Sequence, residues 1–216
     1  MSALFGVIPG TVKKVGDSDH PGAVKVEFSW MGGKNESYWA PVAAAMAGDG
    51  RGAYFMPEEG DEVLVAFGNG RVDDPYVIGF LWNGVDQPPA SDVRIRIFRS
   101  VSGHVLEFDD RSGDEKILIK TKGGHRLLLD DTDGQAKIEL FDQQGRNSLK
   151  IDTESNAIEI TSQQGSITLK APAGTIKLEA QTLELKGTQQ TTLESSQSLK
   201  VSGADVTVSG QPIKLN

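Results

Sequence analysis

Between Leu149 and Leu215 apolar residues recur in pairs separated by one residue: Leu149/Ile151, Ile158/Ile160, Ile167/Leu169, Ile176/Leu178, Leu183/Leu185, Thr191/Leu193, Leu199/Val201, Val206/Val208 and Ile213/Leu215. Residues at i and i+2 share one face of a strand, because successive side chains point to opposite sides. Each pair therefore predicts one short strand with one apolar face. The residue between the members is polar every time, from Lys150 and Glu159 to Thr207 and Lys214, and Gly, Asn, Ser, Gln and Pro lie between pairs. The step from pair to pair runs 9, 9, 9, 7, 8, 8, 7 and 7 residues. Short strands with turns at a nearly fixed period predict a stacked β-solenoid.

Two buried aliphatics contribute roughly 3 to 6 kcal/mol per repeat, whereas ordering each of its residues costs about 1 to 2 kcal/mol. No repeat is stable alone, so stacking is obligatory. Pairs this sparse fill only a thin prism, and the strands carry no Asn or aromatic ladder to fill a wide single-chain coil. Three chains around one axis would supply three pairs per level, with a monomeric solenoid as the alternative. The expected trimer core is Leu149, Ile151, Ile158, Ile160, Ile167, Leu169, Ile176, Leu178, Leu183, Leu185, Leu199, Val201, Val206 and Val208.

The pattern extends upstream through Leu106/Phe108, Ile117/Ile119, Leu127/Leu129 and Ile138/Leu140, at steps of 10 or 11 residues. A repeat that shortens along the chain predicts a needle that narrows toward its C-terminal end. Leu118 and Leu128 stand between pair members, so this upper part also has outward apolar positions. Val93, Ile95 and Ile97 alternate with Arg94 and Arg96, which predicts a solvated transition strand.

Before residue 90 the period is that of a different β domain. Strands are expected at 6–15, at 23–28 with Val24, Val26 and Phe28 on one face, at 36–45 carrying Tyr38 and Trp39, at 53–56, at 63–67 and at 74–82. Asp17 to Gly22, Met31 to Asn35 and Gly68-Asn69-Gly70 supply turns. Five or six strands without a helical period predict a small closed barrel of the OB type. All three Trp, all three Tyr, five of eight Phe and seven of nine Pro precede residue 91, and the aromatics are expected mostly in the barrel core. The connector Gln87-Pro88-Pro89-Ala90-Ser91 marks the boundary. The expected division is a collar at 1–87, a linker and transition strand at 88–104, and a tapering triple-stranded spike at 105–216.

Composition narrows the function. Cys 0 excludes a disulfide framework, and no run of 18 apolar residues predicts a membrane span. No basic and apolar leader follows Met1, so classical secretion is not expected. A net charge of -8 argues against nucleic acid as a partner, since that affinity comes from Lys and Arg neutralising phosphates.

The segment Pro57-Glu58-Glu59-Gly60-Asp61-Glu62-Val63-Leu64-Val65-Ala66-Phe67, followed by Pro75-Tyr76-Val77-Ile78-Gly79-Phe80-Leu81-Trp82-Asn83-Gly84, resembles the barrel of contractile-tail spike proteins. These are the baseplate assembly protein V of phages and the valine-glycine-repeat spikes of type VI secretion. Ser102 to Asp110 and Gly113 to Ile117 resemble the start of that family's β-prism. The resemblance implies an all-β homotrimer, with an OB-type collar under the tail tube and an intertwined trimeric β-helix that punctures the target cell envelope. It implies a virion tail baseplate or contractile injection particle, assembled in the bacterial cytoplasm. No hub domain precedes the barrel and no lysozyme-like insert follows it, so a separate baseplate hub protein is expected. Some members close their apex on iron held by a His-x-His pair, but no His follows His125. Neither metal nor other cofactor is therefore expected. A PAAR-type tip protein is expected instead, bound at Ile213, Leu215 and Asn216.

Candidate chemistry is sparse. His20, His104 and His125 each lie in or beside a turn, with no second His at ligand spacing. Asp130-Asp131-Thr132-Asp133-Gly134 lacks the alternation and closing Glu of a calcium loop, and reads as an Asx-rich turn. Glu58, Glu59, Asp61 and Glu62 read as solvated acids rather than a glycosidase pair. Gly48 to Gly52 and Gly68 to Gly70 lack the Lys, Ser or Thr of a phosphate loop. With no nucleophile beside a base, no enzymatic activity is expected. The alternative function is an OB binding module on a solenoid stalk, taking glycan or single-stranded nucleic acid through Trp30, Tyr38 and Trp39.

Overall fold

The computed structural model describes residues 5–30 and 36–213, and these form an all-β structure. The expected turn at Met31 to Asn35, together with Leu215 and Asn216, lies outside the described residues. Strand β1 (Val7–Val15), β2 (Ala23–Glu27), β3 (Ala40–Pro41), β6 (Glu62–Phe67) and β7 (Pro75–Phe80) form one antiparallel sheet in the order β3-β2-β1-β6-β7. Val42 bridges in parallel to Val77, and the Ala43 amide donates to the Val77 carbonyl at 2.8 Å. This contact brings the first sheet edge against the last, so the sheet rolls into a nearly closed barrel.

Alternation decides what lies inside. In β6, Val63, Val65 and Phe67 are buried while Glu62, Leu64 and Ala66 are half-buried. Val12, Val24, Val26, Phe28, Ala40 and Val77 complete the core. A narrow lumen takes β-branched valine better than large rings. That corrects the expectation for the aromatics: only Phe28 and Phe67 belong to the core, while Tyr38, Tyr54, Phe55 and Trp82 are more than 60% exposed.

Two expected strands are also corrected. Of 36–45 only Ala40–Pro41 is a strand, beside an isolated bridge from Glu36 to Glu27. Pro41 has no N–H for a ladder, and the Ser37 hydroxyl takes a backbone role by accepting from the Val26 amide at 2.9 Å. Residues 53–56 form no strand. The pairing falls just before them, in a hairpin of β4 (Ala47–Gly48) and β5 (Arg51–Gly52). Gly52, at φ 148, lies in a region L side chains rarely adopt, and Pro57 disfavours a regular continuation. The Gly68-Asn69-Gly70 turn is present as a 3-10 turn with Asn69 left-handed, and the following strand starts at Pro75.

A second sheet runs in strict chain order: β8 (Ile95–Arg99), β9 (Val105–Asp109), β10 (Lys116–Lys120), β11 (Arg126–Asp130), β12 (Lys137–Phe141), β13 (Asn147–Asp152) and β14 (Ala157–Ser162). Each strand pairs antiparallel with the next, so the stacking of these repeats takes place within one chain. The chain divides between Ser166 and Ile167 into two units. Among the described residues 163–213, no strand is paired within the chain.

Candidate assembly surface

The register of the second sheet turns the paired aliphatics into two continuous columns. One runs Phe98, Leu106, Ile119, Leu127, Leu140, Leu149 and Ile160; the other runs Arg96, Phe108, Ile117, Leu129, Ile138, Ile151 and Ile158. Both lie on one face, because the pair members are two residues apart in every strand. Leu106, Phe108, Leu127 and Ile151 are half-buried, whereas Leu140, Ile158 and Ile160 stand 55%, 72% and 56% exposed. An apolar surface this continuous marks an interaction site.

The opposite face is charged and ordered. Its middle column is Ile97, Glu107, Leu118, Leu128, Glu139, Lys150 and Glu159, with Leu118 and Leu128 directly opposed and half-buried. An outer column alternates in sign: Asp109, Lys116, Asp130, Lys137, Asp152. Opposite charges across neighbouring strands support that register. On the other flank the Arg126 guanidinium lies 4.1 Å from the Phe141 ring centroid.

The turns repeat as regularly as the strands. Along one side, the amide of His104 donates to the Ser100 hydroxyl at 2.9 Å, that of His125 to the Thr121 hydroxyl at 3.1 Å, and that of Arg146 to Asp142 Oδ1 at 2.9 Å. Each level then reaches the next. His104 Nδ1 accepts the Lys122 amide and His125 Nδ1 accepts the Gln143 amide, both at 3.2 Å, while the Arg146 guanidinium donates to Gln164 Oε1 at 3.0 Å. Both histidines are thus turn fasteners, in keeping with the turn positions read from the sequence.

Along the other side a strand-ending Asp caps each turn. Asp109 accepts from the Arg111 amide and guanidinium, Asp130 from the amide and hydroxyl of Thr132, and Asp152 from the amides of Glu154 and Ser155. The guanidinium of Arg111 holds the Asp109 carboxyl below its ordinary value against the opposing effect of burial. At Asp130 burial pushes upward, but the two hydrogen bonds from Thr132 and nearby lysines hold it low. A cleft of about 360 Å³ lies beside these turns, lined among others by Asp109, Lys116, Asp130 and Lys137. Its two buried carboxylates are held in the ionised form, the reverse of what a general acid needs. The Asp130 to Gly134 segment is an Asx-capped turn, as expected.

The structure brings together Leu149, Ile151, Ile158 and Ile160 in one sheet. Ile167, Leu169, Ile176, Leu178, Leu183, Leu185, Leu199, Val201, Val206 and Val208 lie in the second unit, each between 50 and 70% exposed, and Ile213 is 49% exposed. Sequence reading placed Leu106 to Leu140 in the same pattern but left Phe98 out. Phe98 escapes the paired pattern because Arg96, two residues before it and on the same face, is charged. Of the aromatics proposed for an alternative ligand, Trp39 is stacked on His20 at 4.4 Å with Lys14 and Lys25 each 5.4 Å from its ring centroid, and Trp30 leans on Phe28 at 5.8 Å. Tyr38 is 63% exposed and stands apart from that stack.

Residues 8–82 match the family model described as the type VI secretion system/phage-baseplate injector OB domain, and residues 116–184 match the phage baseplate V C-terminal trimerisation domain. Among curated relatives, the type VI secretion system spike protein VgrG4b of Pseudomonas aeruginosa is 34% identical over 47% of this chain and 14% of its own length. VgrG3 of Vibrio cholerae, another type VI spike protein, is 30% identical over 47% of this chain and 11% of its own length. VgrG5 of Pseudomonas aeruginosa is 30% identical over 52% of the chain and 16% of its own length. The chain thus spans less than a fifth of the length of these relatives. An OB barrel followed by a sheet with one unpartnered apolar face, each matched by its own domain family, places the chain in the contractile-tail spike family of phage baseplates and type VI secretion systems.

Proposed function

We propose that the chain is the central spike of a contractile injector, a homotrimer that docks under the tail tube and pierces the target cell envelope. The observation that carries this reading is the pair of apolar columns from Phe98 to Ile160 in the first unit, together with the exposed aliphatic pairs that the second unit carries between Ile167 and Val208. Three copies facing one axis would bury these columns. In the second unit, strands from the other two copies would supply the hydrogen-bond partners that the single chain does not. Burial of each aliphatic would then stabilise the assembly by about 1.5 to 3 kcal/mol. Mass in solution by light scattering tests this: three chains per particle is the expected result, and a monomer overturns it.

The collar docks the spike to a baseplate hub protein. Tyr76, Ile78 and Phe80 alternate outward along β7 and give the barrel an apolar stripe suited to a protein partner. A chain lacking residues 1–85 should remain a trimeric rod and fail to join a baseplate. A PAAR-type tip protein binds at Ile213, Leu215 and Asn216, a reading that follows from the family resemblance. Ile213→Asp with Leu215→Asp should abolish that binding and leave the trimer intact. The particle works mechanically, without catalysis, cofactor or nucleic acid, and assembles in the bacterial cytoplasm.

A further inference from the structure

An arm of the barrel carries exposed aromatics to the top of the apolar face. It leaves the barrel after β3, where Val42 and Ala43 are fixed to Val77, and folds into the β4–β5 hairpin, closed by the Ala53 amide donating to the Met46 carbonyl at 2.9 Å. It returns at Met56, which packs against the barrel core. Both ends are anchored, so the segment between them is preformed. On the limb that returns to the barrel, Tyr54 and Phe55 are 79% and 63% exposed.

Phe55 stacks on Phe98, with ring centroids 6.0 Å apart and planes 21° from parallel. Phe98 pairs in register with Leu106, so it heads the apolar column that runs down the sheet through Ile119 and Leu127. The stack covers one side of each ring and leaves Phe98 57% exposed. The arm therefore extends the apolar face upward, from the prism onto the collar.

We propose that this arm is a collar-level part of the trimer interface, with Tyr54 and Phe55 seated on a second copy of the chain. The occupant follows from continuity. The column that the stack prolongs lies on the apolar face of a trimerisation domain, and a surface continuous with it meets the same neighbour. Buried aromatics dominate such contacts because they remove large apolar areas from water at low entropic cost. The arm would clamp each collar to the prism of the next subunit, tying the register of the barrels to that of the needle. The inference rests on the trimer proposed above.

A photoreactive benzophenone amino acid in place of Tyr54, in the full chain, tests it. Illumination of the trimer should give covalent dimers and trimers on a denaturing gel, whereas the same group at exposed Asn69 should give none. In parallel, Phe55→Ala should speed subunit exchange between labelled trimers by about tenfold. Adducts confined within one chain, or formed only with a co-expressed hub protein, in a particle that light scattering shows to be trimeric, overturn the arm contact and leave the spike reading standing. If the unmodified chain is monomeric, both fall. If only the Tyr54-substituted chain loses its trimer, the arm contact is supported.

Discussion

At Gly10, in the middle of β1, an added Cβ would lie 2.5 Å from a Val26 side-chain carbon and 2.8 Å from the Glu27 carbonyl oxygen. The backbone of β1 can pass this close to β2 because this residue has no side chain. Gly10→Ala should therefore destabilise the barrel by about 1 to 3 kcal/mol, the usual cost of overpacking. Chemical denaturation followed by tryptophan fluorescence checks this, since all three Trp lie before residue 91. Phe28, fully buried against Phe67, is the opposite case. Phe28→Ala leaves a cavity and should cost about 3 to 5 kcal/mol.

At the scale of the element, the hairpins of the second sheet are fastened by side chains that replace missing backbone partners. Asp109, Asp130 and Asp152 end strands, Asp142 directly follows β12, and all four accept amides of the following turn. Their carboxyls are all held below the ordinary range. A group whose folded value is lowered adds stability that is complete above its unfolded value and is lost as pH falls through the folded one. The second sheet should hold its melting temperature from neutral pH down to the ordinary carboxylate range and lose it progressively in stronger acid. Asp109→Ala with Asp130→Ala should melt lower at neutral pH and show a shallower acid decline. An unchanged profile by circular dichroism would show that these caps are not coupled to folding.

At the scale of the whole molecule, the apolar columns make the isolated chain incomplete. Ile119 and Leu140 lie in the same column, and both are exposed in the single chain. Ile119→Asp with Leu140→Asp would place six carboxylates on the axis of a trimer. It should give monomers in light scattering with an intact barrel by tryptophan fluorescence. Leu140→Ala should keep the trimer and weaken it by about 2 to 5 kcal/mol per copy. A trimer unaffected by the double Asp variant would mean that another face holds the subunits together.

The all-β class and the paired aliphatic period were legible in the sequence because period-2 alternation is local, and because each turn announces itself with Gly, Asn or Asp. So was the position of His104 and His125 in or beside turns, though not the hydrogen bonds they make there. The sequence did not reveal that the barrel would exclude most of its aromatics. That depends on a lumen width set by strand number and closure, through the Val42 and Val77 contact. Nor did it reveal that the repeats from Ile95 to Ser162 pair within one chain, since i, i+2 pairs look alike whichever strand lies beside them. The stack of Phe55 on Phe98 joins residues far apart in the chain, and only tertiary structure brings them together. Sequence periodicity determines which face of a strand is apolar; the fold decides what that face meets.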